Sequence, residues 1–174
     1  VFQDDLQNQT ASGIVNETAD KLQAAGYKVQ ANPRDINLFY LKDNIRERIV
    51  SQDLEFKIQN SKLTFSVAEM DAELTTNPER FSPNVILRGL YQETILPNVA
   101  FIGGGGETAY WLQLKGLFEH YKVPFPVLVL RNSFLIVEKK WQERIAKLGF
   151  TIEDFFLTEP ELLNRLVARE SRNP

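Results

Sequence analysis

Apolar positions along this chain change period several times, and each change marks an element. Ile14, Val15, Ala19 and Leu22 recur at helical spacing, and Gly26 follows them where a C-terminal stop belongs. A turn leads into Tyr27 to Gln30. Four short β-like runs come next: Ile36 to Leu41, Ile45 to Val50, Leu54 to Gln59 and Leu63 to Val67. Lys42-Asp43-Asn44 and Asn60-Ser61 supply turn signals between them. So little chain separates the runs that they predict an antiparallel meander, over about 33–75.

The pattern then turns helical. Ser82-Pro83 predicts a cap and first turn, with a helix from about Asn84 to Leu96 closed by Pro97. Val99-Ala100-Phe101-Ile102 and Val127-Leu128-Val129-Leu130 are fully apolar, as strands of a parallel sheet buried on both faces are. Between them, Tyr110, Trp111, Leu114, Leu117, Phe118 and Tyr121 form one helical stripe. Strand, helix, strand predicts a βαβ unit with a right-handed crossover. Val137, Trp141, Ile145 and Leu148 predict a further helix stopped at Gly149. Thr158-Glu159-Pro160-Glu161 reads as a capping box opening a last helix that carries Leu162, Leu163, Leu166 and Val167. The expected fold is α/β: a partial Rossmann-like parallel core over 1–157, with the small antiparallel insert inside it, and a C-terminal helical region over 158–174.

Composition narrows the function classes. The 174 residues include no cysteine, which excludes disulfides, a thiolate nucleophile and a cysteine zinc site from this chain. A net charge of -3 gives no basic footprint for nucleic acid. No signal-like or membrane-length apolar run stands out, so a soluble cytoplasmic protein is the simplest expectation. The first residue is Val1 and the last ones read as a helix still running, so a piece of a longer chain is expected.

The sharpest chemical feature is Gly103-Gly104-Gly105-Gly106-Glu107, between an apolar strand and a helix. Glycines allow close backbone approach, and the first N–H groups of a helix can bind an anion. The competing explanation is a tight turn needing positive φ. The dinucleotide fingerprint and the P-loop both fail here: Thr108 stands where the first needs Gly, and no Lys-Ser or Lys-Thr follows the last Gly. Asn84, Arg88 and Gln92 share one helix face beside Glu93 and suit a carboxylate or phosphate, or else form a solvated face. Arg131-Asn132-Ser133 stand at the carboxyl end of the second apolar strand, as site residues or as a capping turn. Arg34 and Asn37 lead into the meander, where turn chemistry alone explains an Asn-Pro-Arg-Asp run. His120, the single histidine, falls with Gln113 and Gly116 opposite the aromatic stripe and is expected on the surface. No metal site is expected.

A longer resemblance joins these pieces. Phe81 to Arg88, Tyr91-Gln92-Glu93, Ile95-Leu96-Pro97, Gly103-Gly104 with Gly106-Glu107, Ala109-Tyr110-Trp111, Leu114-Lys115 and Pro126 to Val129 with Arg131 and Ser133 resemble the BshC family, the cysteine-adding enzymes of bacillithiol biosynthesis. Val15-Asn16-Glu17, Gly26-Tyr27, Pro33-Arg34 and Asn37-Leu38-Phe39 are similar too. The resemblance implies a Rossmann-like core with connecting-peptide inserts and a C-terminal coiled coil that forms a homodimer. It implies a ligase that joins cysteine to glucosaminyl-malate, with ATP or ADP as the nucleotide. Arg88, Glu107 and Glu93 become the catalytic candidates. Asn84, Gln92, Gly103 to Gly106, Tyr110, Arg131, Asn132, Ser133, Arg34 and Asn37 become the ligand-binding ones. The competing function is a non-catalytic nucleotide- or anion-binding or assembly module.

Overall fold

The computed structural model describes residues 1–171. The chain divides into two compact units, residues 1–132 and the residues from Ser133 onward.

In the first unit, α1 (Phe2–Asn8) and α2 (Thr10–Ala24) are separated by Gln9 at φ 54°. Gly26 closes α2 at φ 86°, its N–H on the Gln23 carbonyl and that of Tyr27 on the Leu22 carbonyl. That pair of bonds is the Schellman stop the glycine predicted. Strands β1 (Leu38–Lys42), β2 (Ile45–Gln52), β3 (Glu55–Ile58), β4 (Thr64–Ser66) and β5 (Phe81–Pro83) form one antiparallel sheet in the order β4-β3-β2-β1-β5. Asp43 and Asn60 turn the chain at φ 50° and 56°, where short polar side chains tolerate the left-handed region. Leu38, Tyr40, Ile49, Phe56 and Ile58 are buried. The Tyr40 ring meets Phe65 and Phe81 at 5.5 and 5.7 Å.

Two expectations are corrected here. Ser82 and Pro83 do not cap a helix; they lie in edge strand β5, where a residue without N–H costs no ladder bond. The cap is Asn84, whose side chain accepts the Ile86 N–H at 2.8 Å and starts α4 (Val85–Ile95). The meander is also interrupted earlier than 75. Helix α3 (Val67–Thr76) begins where a strand was expected to end, behind a reciprocal box between Ser66 and Glu69.

Strand β6 (Ala100–Gly103), helix α5 (Gly105–Tyr121) and strand β7 (Val127–Leu130) follow, and β6 and β7 pair in parallel with Phe101 opposite Leu128. The parallel arrangement stops at these two strands; the main sheet is the antiparallel one. Nor are the two strands buried on both faces. Phe101 stacks on Trp111 at 4.4 Å, while Ile102, Val127 and Leu130 are each more than 60% exposed. Only Phe101 and Leu128 of these apolar side chains pack against the core; the others are largely open.

The aromatic stripe of α5 is core: Trp111, Leu114, Leu117 and Phe118 are essentially inaccessible. Its opposite side is covered as well. A Cβ at Gly116 would stand 2.9 Å from Ile14 Cγ2 and 3.3 Å from Thr18 Oγ1, so glycine lets α2 lie directly on α5. Gln113, expected on a solvent face with His120, is buried against the backbone of Gln30 and Ala31; His120 itself is exposed.

In the second unit, α6 (Lys139–Lys147) ends at Gly149, φ 68°, with the Phe150 N–H on the Ile145 carbonyl. Val137 precedes that helix rather than joining it. A 3-10 turn (Glu153–Phe156) leads to α7 (Glu159–Glu170), opened by the Thr158–Glu161 box as its sequence predicts. Helix α7 runs to Glu170, with Ser171 extended; 172–174 lie outside the described residues. No helix among the described residues is long and apolar enough to cross a membrane.

Candidate functional site

A cleft of about 510 Å³ opens between the sheet and the start of α4, lined among others by Arg34, Phe39, Arg46, Arg48, Asn84, Arg88 and Tyr110. It unites several residues that are far apart in sequence. Arg34 comes from the segment before β1, Asn84 and Arg88 from α4, and Tyr110 from α5. Arg46 and Arg48 come from β2; sequence reasoning passed over them because an alternating strand with arginine on one side looks like an ordinary solvent face. No Asp or Glu lines the cleft. Among the described residues, none of these four arginines has a carboxylate within ion-pair distance. The arrangement suits an anionic ligand, since a guanidinium fork matches paired oxygens of carboxylate or phosphate.

The cleft wall is held by buried amides. Asn37 does not line the cleft; it is fully buried and organises it. Its Oδ1 accepts the Arg34 N–H at 3.0 Å and the Asn84 Nδ2 at 3.0 Å, and its Nδ2 donates to the Arg34 carbonyl at 2.8 Å. The Asn84 N–H donates to the Asn37 carbonyl at 2.9 Å. Behind it, the Asp5 carboxylate accepts the Asn37 N–H at 2.6 Å and its Nδ2 at 3.3 Å. Burial pushes the Asp5 carboxyl up to about 6, with the two Asn37 bonds pulling the other way. Gln113 performs the same service for the other wall, accepting the N–H groups of Gln30 and Ala31 at 2.9 and 3.0 Å and donating to the Ala31 carbonyl at 2.9 Å. Neither Asp5 nor Gln113 carried any sequence signal beyond being polar on a helix; buried pairing partners are remote in the chain.

The glycine run meets a different set of groups. None of Gly103 to Gly106 has positive φ, so the tight-turn explanation does not apply. Close approach applies at two of them. A Cβ at Gly103 would stand 2.6 Å from the Phe101 ring, and one at Gly104 3.2 Å from Arg131 Nη2. Gly105 and Gly106 face open space. Glu107 folds back so that its carboxylate accepts the Gly104 N–H at 3.0 Å, which occupies one of the helix-end donors with the protein's own anion. Arg131 continues the ladder through its N–H to the Gly103 carbonyl at 2.8 Å. Asn132 is exposed, and Ser133 is the first residue of the second unit.

Glu93 and Gln92 do not reach the cleft. Glu93 is 2% exposed and accepts the Asn98 N–H at 2.7 Å, Asn98 Nδ2 at 2.9 Å and Gln92 Nε2 at 3.3 Å. Its carboxylate ties down the turn between α4 and β6. Among the described residues no group of His, Asp and Glu is arranged to hold a metal ion.

Comparison with known proteins gives this geometry its context. Residues 1–132 match the family model described as the N-terminal Rossmann-like domain of the bacillithiol biosynthesis protein BshC. A Christiangramia forsetii protein named as a cysteine ligase, BshC, is 50% identical over 167 residues, which cover 96% of this chain and 31% of that protein. The correspondingly named protein of Flavobacterium johnsoniae is 43% identical over 98% of this chain and 32% of its own length. That of Bacillus pumilus is 34% identical over 84% of this chain and 28% of its own. The chain thus spans about a third of the length of the curated relatives it matches.

Proposed function

The chain belongs to the BshC family, and from that membership we propose that it is part of a ligase that adds cysteine to glucosaminyl-malate by forming an amide bond. The observation that carries this reading is the arginine cleft. Both partners of the joining reaction bring carboxylates, and the cleft offers unpaired guanidinium groups with no competing carboxylate of its own.

Condensing a carboxylate with an amine is uphill in water, so the cysteine carboxylate must be activated before the glucosaminyl amine attacks it. ATP, where it binds, supplies the activating phosphoryl or adenylyl group. The groups that fit its phosphates are the N–H groups of Gly105 and Gly106 in the first turn of α5, where no side chain stands in the way, and the guanidinium of Arg131 beside Gly104. Glu107 tempers this end of α5, since its carboxylate already sits on the Gly104 N–H. In this reading Arg34 and Arg88 clamp a substrate carboxylate, Asn84 and Tyr110 complete the wall, and Asn37 positions Arg34 and Asn84. Dimerisation through a C-terminal coiled coil belongs to the same proposal.

Calorimetric titration of the chain with glucosaminyl-malate, cysteine and ATP tests the site. Arg88→Ala in the full-length enzyme should reduce cysteine addition by about tenfold or more, the loss expected for one charge-assisted clamp. An Arg88→Ala enzyme with normal cysteine addition removes the clamp assignment.

A further inference from the structure

Resting on the reading of this cleft as a substrate site, we propose that the antiparallel sheet supplies a second pair of ligand-binding groups, Arg46 and Arg48, which restrict the cleft to small molecules carrying two or more negative charges.

The two side chains stand two residues apart on β2 and therefore share one face of the sheet. Across the ladder, Arg48 is opposite Phe39 and Arg46 opposite Leu41, so Phe39 belongs to that face too. The Arg46 Cζ lies 4.1 Å from the centre of the Phe39 ring. Stacking occupies the flat of a guanidinium and leaves its N–H edge free to bind, so Arg46 is oriented before any ligand arrives.

The charge distribution makes the stronger argument. Outside the cleft, Arg80 bonds Glu73 at 2.6 Å and Arg165 bonds Asp154 at 2.6 Å, while Arg131, Arg144 and Arg169 have no carboxylate partner among the described residues. The four cleft arginines have no such partner among the described residues either, but they are gathered around one cavity, in a chain whose net charge is -3. Asp35, next to Arg34, lines the neighbouring cavity shared with Arg34 and Arg48 but pairs with neither, and Glu47, between Arg46 and Arg48 on β2, is absent from the cleft lining and accepts the Asn60 Nδ2 at 3.2 Å. A concentration of like charge repels itself, and a bound anion relieves that repulsion in proportion to its own charge. A monoanion leaves most of the cluster uncompensated; a dicarboxylate or a phosphoryl group does not. The class implied is therefore a small polyanion, with several anionic oxygens presented to separate forks.

Isothermal titration separates the possibilities, using malate as the dicarboxylate, pyrophosphate as the phosphoryl anion and acetate as the monoanion. The wild-type chain should bind at least one polyanion about tenfold or more tightly than acetate. Arg46→Ala/Arg48→Ala should weaken that polyanion by about tenfold or more and leave acetate nearly unchanged. The size of the loss for malate against pyrophosphate identifies which source of anionic oxygens these arginines serve. Lys57→Ala/Lys62→Ala removes the same formal charge from exposed positions outside the cleft lining and should leave affinity within about twofold. Equal losses in both double variants overturn the proposal in favour of a general field effect. Retained polyanion affinity in Arg46→Ala/Arg48→Ala, alongside a loss in Arg88→Ala, overturns it too while sparing the cleft as a substrate site. No polyanion affinity in the wild type overturns both. Circular dichroism of each variant verifies folding, which exposed arginines should not disturb.

Discussion

Asp5 and Asn37, one on the first helix and one at the mouth of the sheet, are joined by two hydrogen bonds that both run into the same buried carboxylate. Each residue is inaccessible to water. The carboxylate has no cation against it, so it is a buried charge satisfied by amide donors alone. That is a weaker compensation than an ion pair gives, and the carboxyl is pushed up to about 6 as a result.

Stability should follow this group. An unfolded Asp titrates near its ordinary 3.8 and the folded one near 6, so the folded state holds the extra proton between those values. The Asp5 contribution is therefore favourable at low pH and is lost as pH rises from about 4 to about 6, by roughly 1–3 kcal/mol. Asp5→Ala removes the slope but orphans the buried Asn37 donors, at about 1–3 kcal/mol. Urea denaturation at pH 5 and pH 8 should show the variant less stable at both and the deficit larger at pH 5. An equal deficit at the two values contradicts the assignment.

Asn37→Ala should weaken anion binding without removing any side chain that lines the cleft. It takes away the acceptor for the Arg34 N–H and the Asn84 amide, so the two walls they build lose their common anchor. The expected cost is about 2 kcal/mol of stability and a several-fold loss of polyanion affinity. Titration of the folded variant with malate or pyrophosphate checks it. Unchanged affinity means the cleft does not depend on this amide.

Much of the fold was legible from local chemistry. Gly26 and Gly149 mark Schellman stops, Pro97 follows the end of α4, and the Thr158 box opens α7, because each of these signals acts within one turn of the chain. The Ser66–Glu69 box was equally local and lay in view, hidden by a strand reading that ran through Val67. What local chemistry cannot express is which faces meet. Ile102 and Val127 have the same character as buried strand residues yet lie bare, and Gln113 has the character of a surface residue yet lies buried under a backbone segment more than eighty residues away. The candidate site divides the same way. Arg34, Asn84, Arg88 and Tyr110 were identifiable and do converge, but Arg46 and Arg48 gain meaning only when the sheet places them opposite α4. Glu93 looked free to act and is committed to Asn98, a pairing across the turn that no helical pattern reveals.

Gln113→Ala tests the second anchor. It leaves the N–H groups of Gln30 and Ala31 and the Ala31 carbonyl without their partner, and Ala31 is buried. About 2–4 kcal/mol should be lost, since unsatisfied buried groups cost more than the bond itself contributed. Hydrogen exchange provides the specific reading: the Gln30 and Ala31 amides should exchange at least about tenfold faster, beyond any global change. Unaltered protection at these two amides shows that Gln113 is incidental to that wall.

Gly116→Val should separate the two longest helices of the first unit. Even a Cβ there would meet Ile14 Cγ2 at 2.9 Å and Thr18 Oγ1 at 3.3 Å, and valine adds two methyl groups that the packed face of α2 has no room for. The overpacking should cost about 1–3 kcal/mol. Helix propensity acts the other way, because valine and alanine are both better helix formers than glycine, by up to about 1 kcal/mol for alanine. The pair Gly116→Ala and Gly116→Val therefore divides the two effects: alanine should be close to neutral, valine clearly destabilising. Adding Ile14→Ala to Gly116→Val should recover part of the valine loss, because it removes the methyl that is struck first. Thermal denaturation of these three variants and of Ile14→Ala alone measures this, and a double variant less stable than the sum of its parts places the clash somewhere other than the α2–α5 contact.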